Sequence, residues 1–209
     1  MSKGPGGFTA RINCMIISGF PGIGKTSTYN EMKKSFIGAK CIDMDVRNYN
    51  TTNGINVADP AAYVRECEQL SKENACIFVT SDSAVRAKLR EAQLFYIVVA
   101  PEFPPAIAGH IPNYRPDITL RARYMKRFSE NLGYNSLCAQ TLDGKGYEDA
   151  LIDLFQDPMP HLVIPPEMPY LNKAFVDQAW MMIEQMTRQT INPQQLMNMP
   201  GAPNPPIHM

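Results

Sequence analysis

From Ser18 to Ser27 the chain reads Ser-Gly-Phe-Pro-Gly-Ile-Gly-Lys-Thr-Ser. Within it, Gly19, Gly24, Lys25 and Thr26 stand at the spacing of a phosphate-binding loop. Glycines let the backbone wrap closely around phosphate oxygens, with the loop N–H groups pointing inward as donors. A helix starting at the end of the loop adds a partial positive charge. Lys25 can then reach the terminal phosphates of a nucleoside triphosphate, and the Thr26 hydroxyl can hold Mg²⁺. The expected cradle comprises Gly19, Pro21, Gly22, Ile23, Gly24, Lys25, Thr26 and Ser27. The competing reading is a glycine turn with a solvated lysine.

Three further groups have the chemistry to serve such a site. Asp43 and Asp45 are two residues apart on an extended segment, so both carboxylates share a face. One can take a proton from an attacking hydroxyl or order Mg²⁺ through water; otherwise they are a solvated pair. Asp82 follows the apolar run 75–80 and is expected either to help hold the metal or to cap the next helix. Arg86 lies one turn into that helix, facing either substrate or solvent. Between Tyr114 and Arg127, Arg115, Arg121, Arg123, Lys126 and Arg127 stand against Asp117 alone, a local balance of +4. Leu120, Tyr124 and Phe128 form an i, i+4 apolar stripe, with Arg123 and Arg127 in a row beside it. A basic helix that also packs suits a lid over phosphates, where arginine stabilises the transferring group; a solvated basic face is the alternative.

These residues need elements to position them. Apolar runs predict strands at 12–17, 39–44, 75–80, 94–99 and 161–164, the third continuous enough to be buried on both faces. Helices are expected over 27–36, 59–72 (Asp59 as cap, Pro60 in the first turn), 83–91, 118–132 (capped by Asp117, closed by Gly133), 136–142, 147–155 and 171–190. The last has Leu171, Phe175, Ala179, Ile183 and Met186 on one stripe. Segment 47–58 reads as a polar loop, and Pro101, Pro104 and Pro105 as breakers. Alternating strands and helices predict an α/β fold, a parallel sheet of about five strands flanked by helices, with a small helical lid at about 114–133. Residues 1–10 are expected to be a flexible arm, 11–190 the domain, and 191–209 a disordered tail rich in Pro, Asn and Met. Ligands should gather at the carboxyl ends of the strands.

The 209 residues carry 20 Lys and Arg against 20 Asp and Glu, so no net field draws the chain to nucleic acid or membrane. No apolar run is long enough to cross a bilayer. Five cysteines without a C-x-x-C pair predict buried thiols in a reducing, cytoplasmic setting, and no metal cluster. A guanine-binding switch protein is excluded, since the only Asn-Lys pair, Asn172-Lys173, continues Ala174-Phe175 and not to an aspartate.

The loop, the Asp43-x-Asp45 segment, Ile77-Phe78-Val79-Thr80-Ser81 with Val85-Arg86 and Leu89, Tyr96 to Pro101, and Leu120-Arg121 with Tyr124 and Arg127-Phe128 together resemble the phage-encoded P-loop kinases related to nucleoside monophosphate kinases. The resemblance spans about 12–171. It implies a P-loop NTPase fold, ATP and Mg²⁺ as cofactors, and transfer of the γ-phosphate to a nucleotide or, as credited to some relatives, to 5-hydroxymethyluracil in DNA. For a phage protein the compartment would be the host cytoplasm. It implies catalytic roles for Lys25, Asp45, Asp43, Arg127 and Arg123, and acceptor contacts from Asp43, Asp45, Arg47, Arg86 and Arg121. Val46-Arg47-Asn48-Tyr49 departs from the Ser-Ser-x-Phe of relatives, Asp82 replaces a frequent His, Arg123 replaces an acid, and the second lid arginine is replaced near Asn131-Leu132. The alternative function is a nucleotide-binding or ATPase module acting on a protein partner through the C-terminal helix and tail.

Overall fold

A computed structural model of the chain describes residues 14–35, 40–44, 51–52, 56–57, 59–112, 114–115, 117–131, 145–165, 167–168 and 170–188. The expected arm, the tail, the helix at 136–142, and Asp45, Arg47 and Gly133 lie outside the described residues.

Five short strands form one all-parallel sheet: β1 (Met15–Gly19), β2 (Cys41–Asp43), β5 (Cys76–Val79), β6 (Tyr96–Ala100) and β7 (His161–Val163). Their order is β2-β5-β1-β6-β7. Ile17 of β1 is level with Phe78 of β5 on one side and Ile97 of β6 on the other. All three central strands are buried along their length, as their continuous apolar runs require. From β1 the chain crosses to the edge strand β2, returns inward to β5, and then passes to β6 and β7 on the other side of β1. The order therefore reverses at β1, and the crevice for a ligand opens at its carboxyl end.

The helices form where local signals place them. In α2 (Pro60–Leu70), Asp59 accepts from the Ala62 N–H at 2.9 Å and Pro60 sits in the first turn. Asp82 caps α3 (Ser83–Glu91). Asp117 accepts from the N–H groups of Thr119 and Leu120 at the start of α5 (Ile118–Asn131). In α6 (Lys145–Phe155), Tyr147, Leu151 and Leu154 are buried. In α7 (Lys173–Arg188), the faces of Phe175, Ala179 and Ile183 are buried and the helix packs against α1 (Lys25–Ser35). The C-terminal stripe is thus core along these residues. Each fully buried Ile or Phe contributes about 1.5–3 kcal/mol.

Two segments differ from the sequence reading. Within the supposed loop 47–58, β3 (Thr51–Thr52) pairs antiparallel with β4 (Asn56–Val57). After Pro104, α4 (Pro105–Ala108) makes a single turn, with Pro105 at a position where its missing N–H costs nothing. Strand β1 also runs two residues past the expected end, to Gly19. Among the described residues, no helix is long and apolar enough to cross a membrane.

Candidate phosphate site

The loop between β1 and α1 is braced on several sides. Phe20 donates its N–H to the Val99 carbonyl of β6 at 3.0 Å, and Ile23 donates to Phe20 at 3.2 Å. Leu171, just before α7, donates its N–H to the Ile23 carbonyl at 2.9 Å and accepts from the Thr28 hydroxyl at 2.7 Å. Gly22 has φ +76° and Gly24 has φ +104°, conformations that favour glycine. A Cβ at Gly22 would lie 2.8 Å from Arg127 Cβ, and one at Gly24 would lie 3.3 Å from the Leu171 carbonyl oxygen. The loop is therefore closely approached by α5 on one side and by the segment after β7 on the other.

Lys25 is buried, and its ammonium donates to the Gly19 carbonyl at 2.9 Å, so it lies along its own loop. The Thr26 hydroxyl donates to Asp43 Oδ2 at 2.7 Å. Asp43 ends β2 and is 2% exposed, yet Thr26 itself is exposed. An edge-strand carboxylate is thus held against the first turn of the helix that follows the loop. Ser27 is exposed in the first turn of α1. Asp43 is therefore not a solvated loop residue, and Asp45 lies outside the described residues.

Asp82 is buried and caps α3, its Oδ1 accepting from Ala84 at 2.8 Å and Val85 at 3.0 Å. Of the two sequence readings, the structure displays the cap. The same side chain lines a cavity of about 170 Å³ that also touches Pro21 of the loop, Phe128 and Asp153.

Arg86 does not face solvent, which corrects that sequence reading; it is turned into a buried ion-pair network. It is 2% exposed, with Nε 3.0 Å from Asp157 Oδ2 and Nη2 2.7 Å from Asp153 Oδ2. Asp157 also pairs with Arg90 at 2.6 Å and accepts from the Tyr96 hydroxyl at 2.8 Å. Burial, then the Asp157 carboxylate, push the Tyr96 phenol well above its ordinary range. This network joins α3 to α6 and the turn after it.

The basic helix divides. Phe128 stacks on Phe20 at 5.3 Å between ring centres, and Tyr147 closes edge-on against both. That aromatic cluster seats α5 on the loop. Arg127 beside it has its guanidinium 5.3 Å from the Tyr170 ring centre, a cation–π distance. Arg123 is exposed. Arg121 forms an ion pair with Glu102 at 3.6 Å and another with Glu148, so two carboxylates meet its charge.

Sequence reasoning missed Glu102, Tyr147 and Tyr170. Glu102 follows β6 at the carboxyl edge of the sheet, and that position is itself a signal. Nothing local marks Tyr170, which is set beside the loop by the long-range Leu171 contacts. Among the described residues, no group of three or more His, Cys, Asp or Glu is placed to hold a metal ion alone. The chain matches no protein-family model and no curated protein.

Proposed function

We propose that this chain is a P-loop kinase, a transferase that moves the γ-phosphate of Mg·ATP to a nucleotide or to a hydroxymethylated base such as 5-hydroxymethyluracil in DNA. The observation that carries this reading is the contact of Thr26 with Asp43 beside a glycine loop at the carboxyl end of the central strand. It brings a hydroxyl suited to a metal ion, a buried carboxylate and a loop suited to phosphate close together.

Phosphoryl transfer asks little covalent chemistry of a protein; positioning and charge neutralisation dominate. The N–H groups of residues 22–27 would hold the phosphates. Lys25 would exchange the Gly19 carbonyl for phosphate oxygens, and Thr26 would carry Mg²⁺. Asp43, with Asp45 two residues on, would orient the metal or accept the proton of the attacking hydroxyl. Helix α5 would serve as the lid, with Arg127 the arginine nearest the loop. Labelled ATP offered with each nucleoside monophosphate, plain DNA and DNA containing 5-hydroxymethyluracil tests the proposal. Label should appear in one acceptor class; ADP release at the same rate without any acceptor would instead mark an ATPase.

A further inference from the structure

The proposed reaction gives Tyr170 no role, yet its ring stands at the loop. The Tyr170 Cβ lies 3.3 Å from where a Cβ at Gly24 would be. The next residue ties it there. Leu171 donates its N–H to the Ile23 carbonyl at 2.9 Å, and its carbonyl accepts from the Thr28 hydroxyl at 2.7 Å. Ile23 belongs to the loop and Thr28 to the first turns of α1, so the loop itself anchors the ring.

Arg127 comes from α5. Its Cβ and backbone carbon lie 2.8 Å and 3.1 Å from where a Cβ at Gly22 would be. Its guanidinium reaches over the Tyr170 ring, 5.3 Å from the centre. The side chain therefore starts at Gly22 and ends over a ring rooted beside Gly24, spanning the glycine stretch of the loop. The stacking of Phe128 on Phe20 seats the helix, but it does not fix the far end of a long side chain with many rotamers to lose. The ring acts on that far end. An aromatic face attracts a guanidinium through its quadrupole. It also brings no net negative charge of its own to a place suited to phosphate. A carboxylate there would hold the arginine and repel the phosphates. Arg86 and Arg121, by contrast, are met by carboxylates.

We propose that Tyr170 is a positioning residue for phosphoryl transfer: its ring holds the Arg127 guanidinium at the loop, ready for the charge that builds on the transferring group. The inference rests on the kinase reading. Tyr170 moves no proton and touches no substrate atom. It acts through Arg127, in the transition state, so it contributes to kcat and not to ATP binding. The ring face is what the task requires, and the tyrosine hydroxyl has no part in it.

The test is γ-phosphate transfer from Mg·ATP to the acceptor that the panel identifies, with Mg·ATP affinity measured separately. It uses the full chain as wild type, Tyr170→Leu, Tyr170→Phe, Arg127→Ala, and Tyr170→Leu combined with Arg127→Ala. Tyr170→Leu should lower kcat about five-fold, or about 1 kcal/mol, and leave Mg·ATP affinity within about two-fold of wild type. Tyr170→Phe keeps the ring and should restore most of the loss. In the Arg127→Ala background, Tyr170→Leu should cost nothing further. The Tyr170 side chain is 40% exposed, so the fold should tolerate its loss. A lowered melting temperature would leave the comparison within the Arg127→Ala background intact. An equal fall of kcat in both backgrounds, or a Phe variant as slow as the Leu variant, overturns the inference. So does weaker Mg·ATP binding with kcat kept, which would put the ring on the nucleotide. If the wild type transfers to no acceptor, the kinase reading falls and this inference with it.

Discussion

At Gly22 the backbone stands at φ +76° and the α5 backbone at Arg127 is close behind it. Gly22→Ala would put a Cβ 2.8 Å from Arg127 Cβ and force an unfavourable φ. We expect it to lower stability by about 1–3 kcal/mol in urea titration and to weaken ATP binding as α5 is pushed away. A stability equal to wild type would show that α5 yields freely. The loop was legible in the sequence because its determinants are adjacent residues with fixed conformational demands. Arg86 was not, because its partner Asp153 is 67 residues further on and only folding brings them together. Arg121 shows the same limit: a basic residue on a basic helix gave no sign that Glu102 and Glu148 would meet it.

Helix α3 is clamped to the turn after α6 by the Arg86–Asp157 pair, and the stakes of that pair follow from its burial. Removing one partner of a buried ion pair strands the other charge, at a cost of about 3–5 kcal/mol. Arg86→Ala should fall at the low end of that range, since Arg90 still reaches Asp157. Denaturant unfolding checks this; a loss under 1 kcal/mol would mean that water replaces the guanidinium. The caps at Asp59, Asp82 and Asp117 could be read beforehand because a cap is a relation between neighbours. The β3–β4 pair could not, since two-residue strands have no periodicity to read. Asn53-Gly54 between them is a hairpin dipeptide and was the one available signal.

Across the molecule, the alternation of strands and helices predicted a parallel sheet, and the five-stranded sheet follows. Strand order was not legible, because neighbouring strands are chosen by packing across distant segments. The core also sets a pH limit. Burial pushes the Cys14 and Cys67 thiols from 9.0 up to about 12. Above pH 9.0 the unfolded chain therefore loses protons that the fold retains. The stabilisation is fully present below that pH and is lost as pH rises toward 12. Melting temperature should fall across this window, and less so in Cys67→Ala; parallel profiles would contradict the assignment. All of these supports serve the loop, and the central claim is that the loop transfers phosphate. Transfer of the ATP γ-phosphate by wild type and by Lys25→Ala, with the acceptor that the panel identifies, tests it most directly. The account predicts that the variant, folded as judged by its melting curve, loses transfer by at least about 100-fold, or some 2.7 kcal/mol of transition-state stabilisation. A Lys25→Ala protein that transfers at the wild-type rate would contradict it.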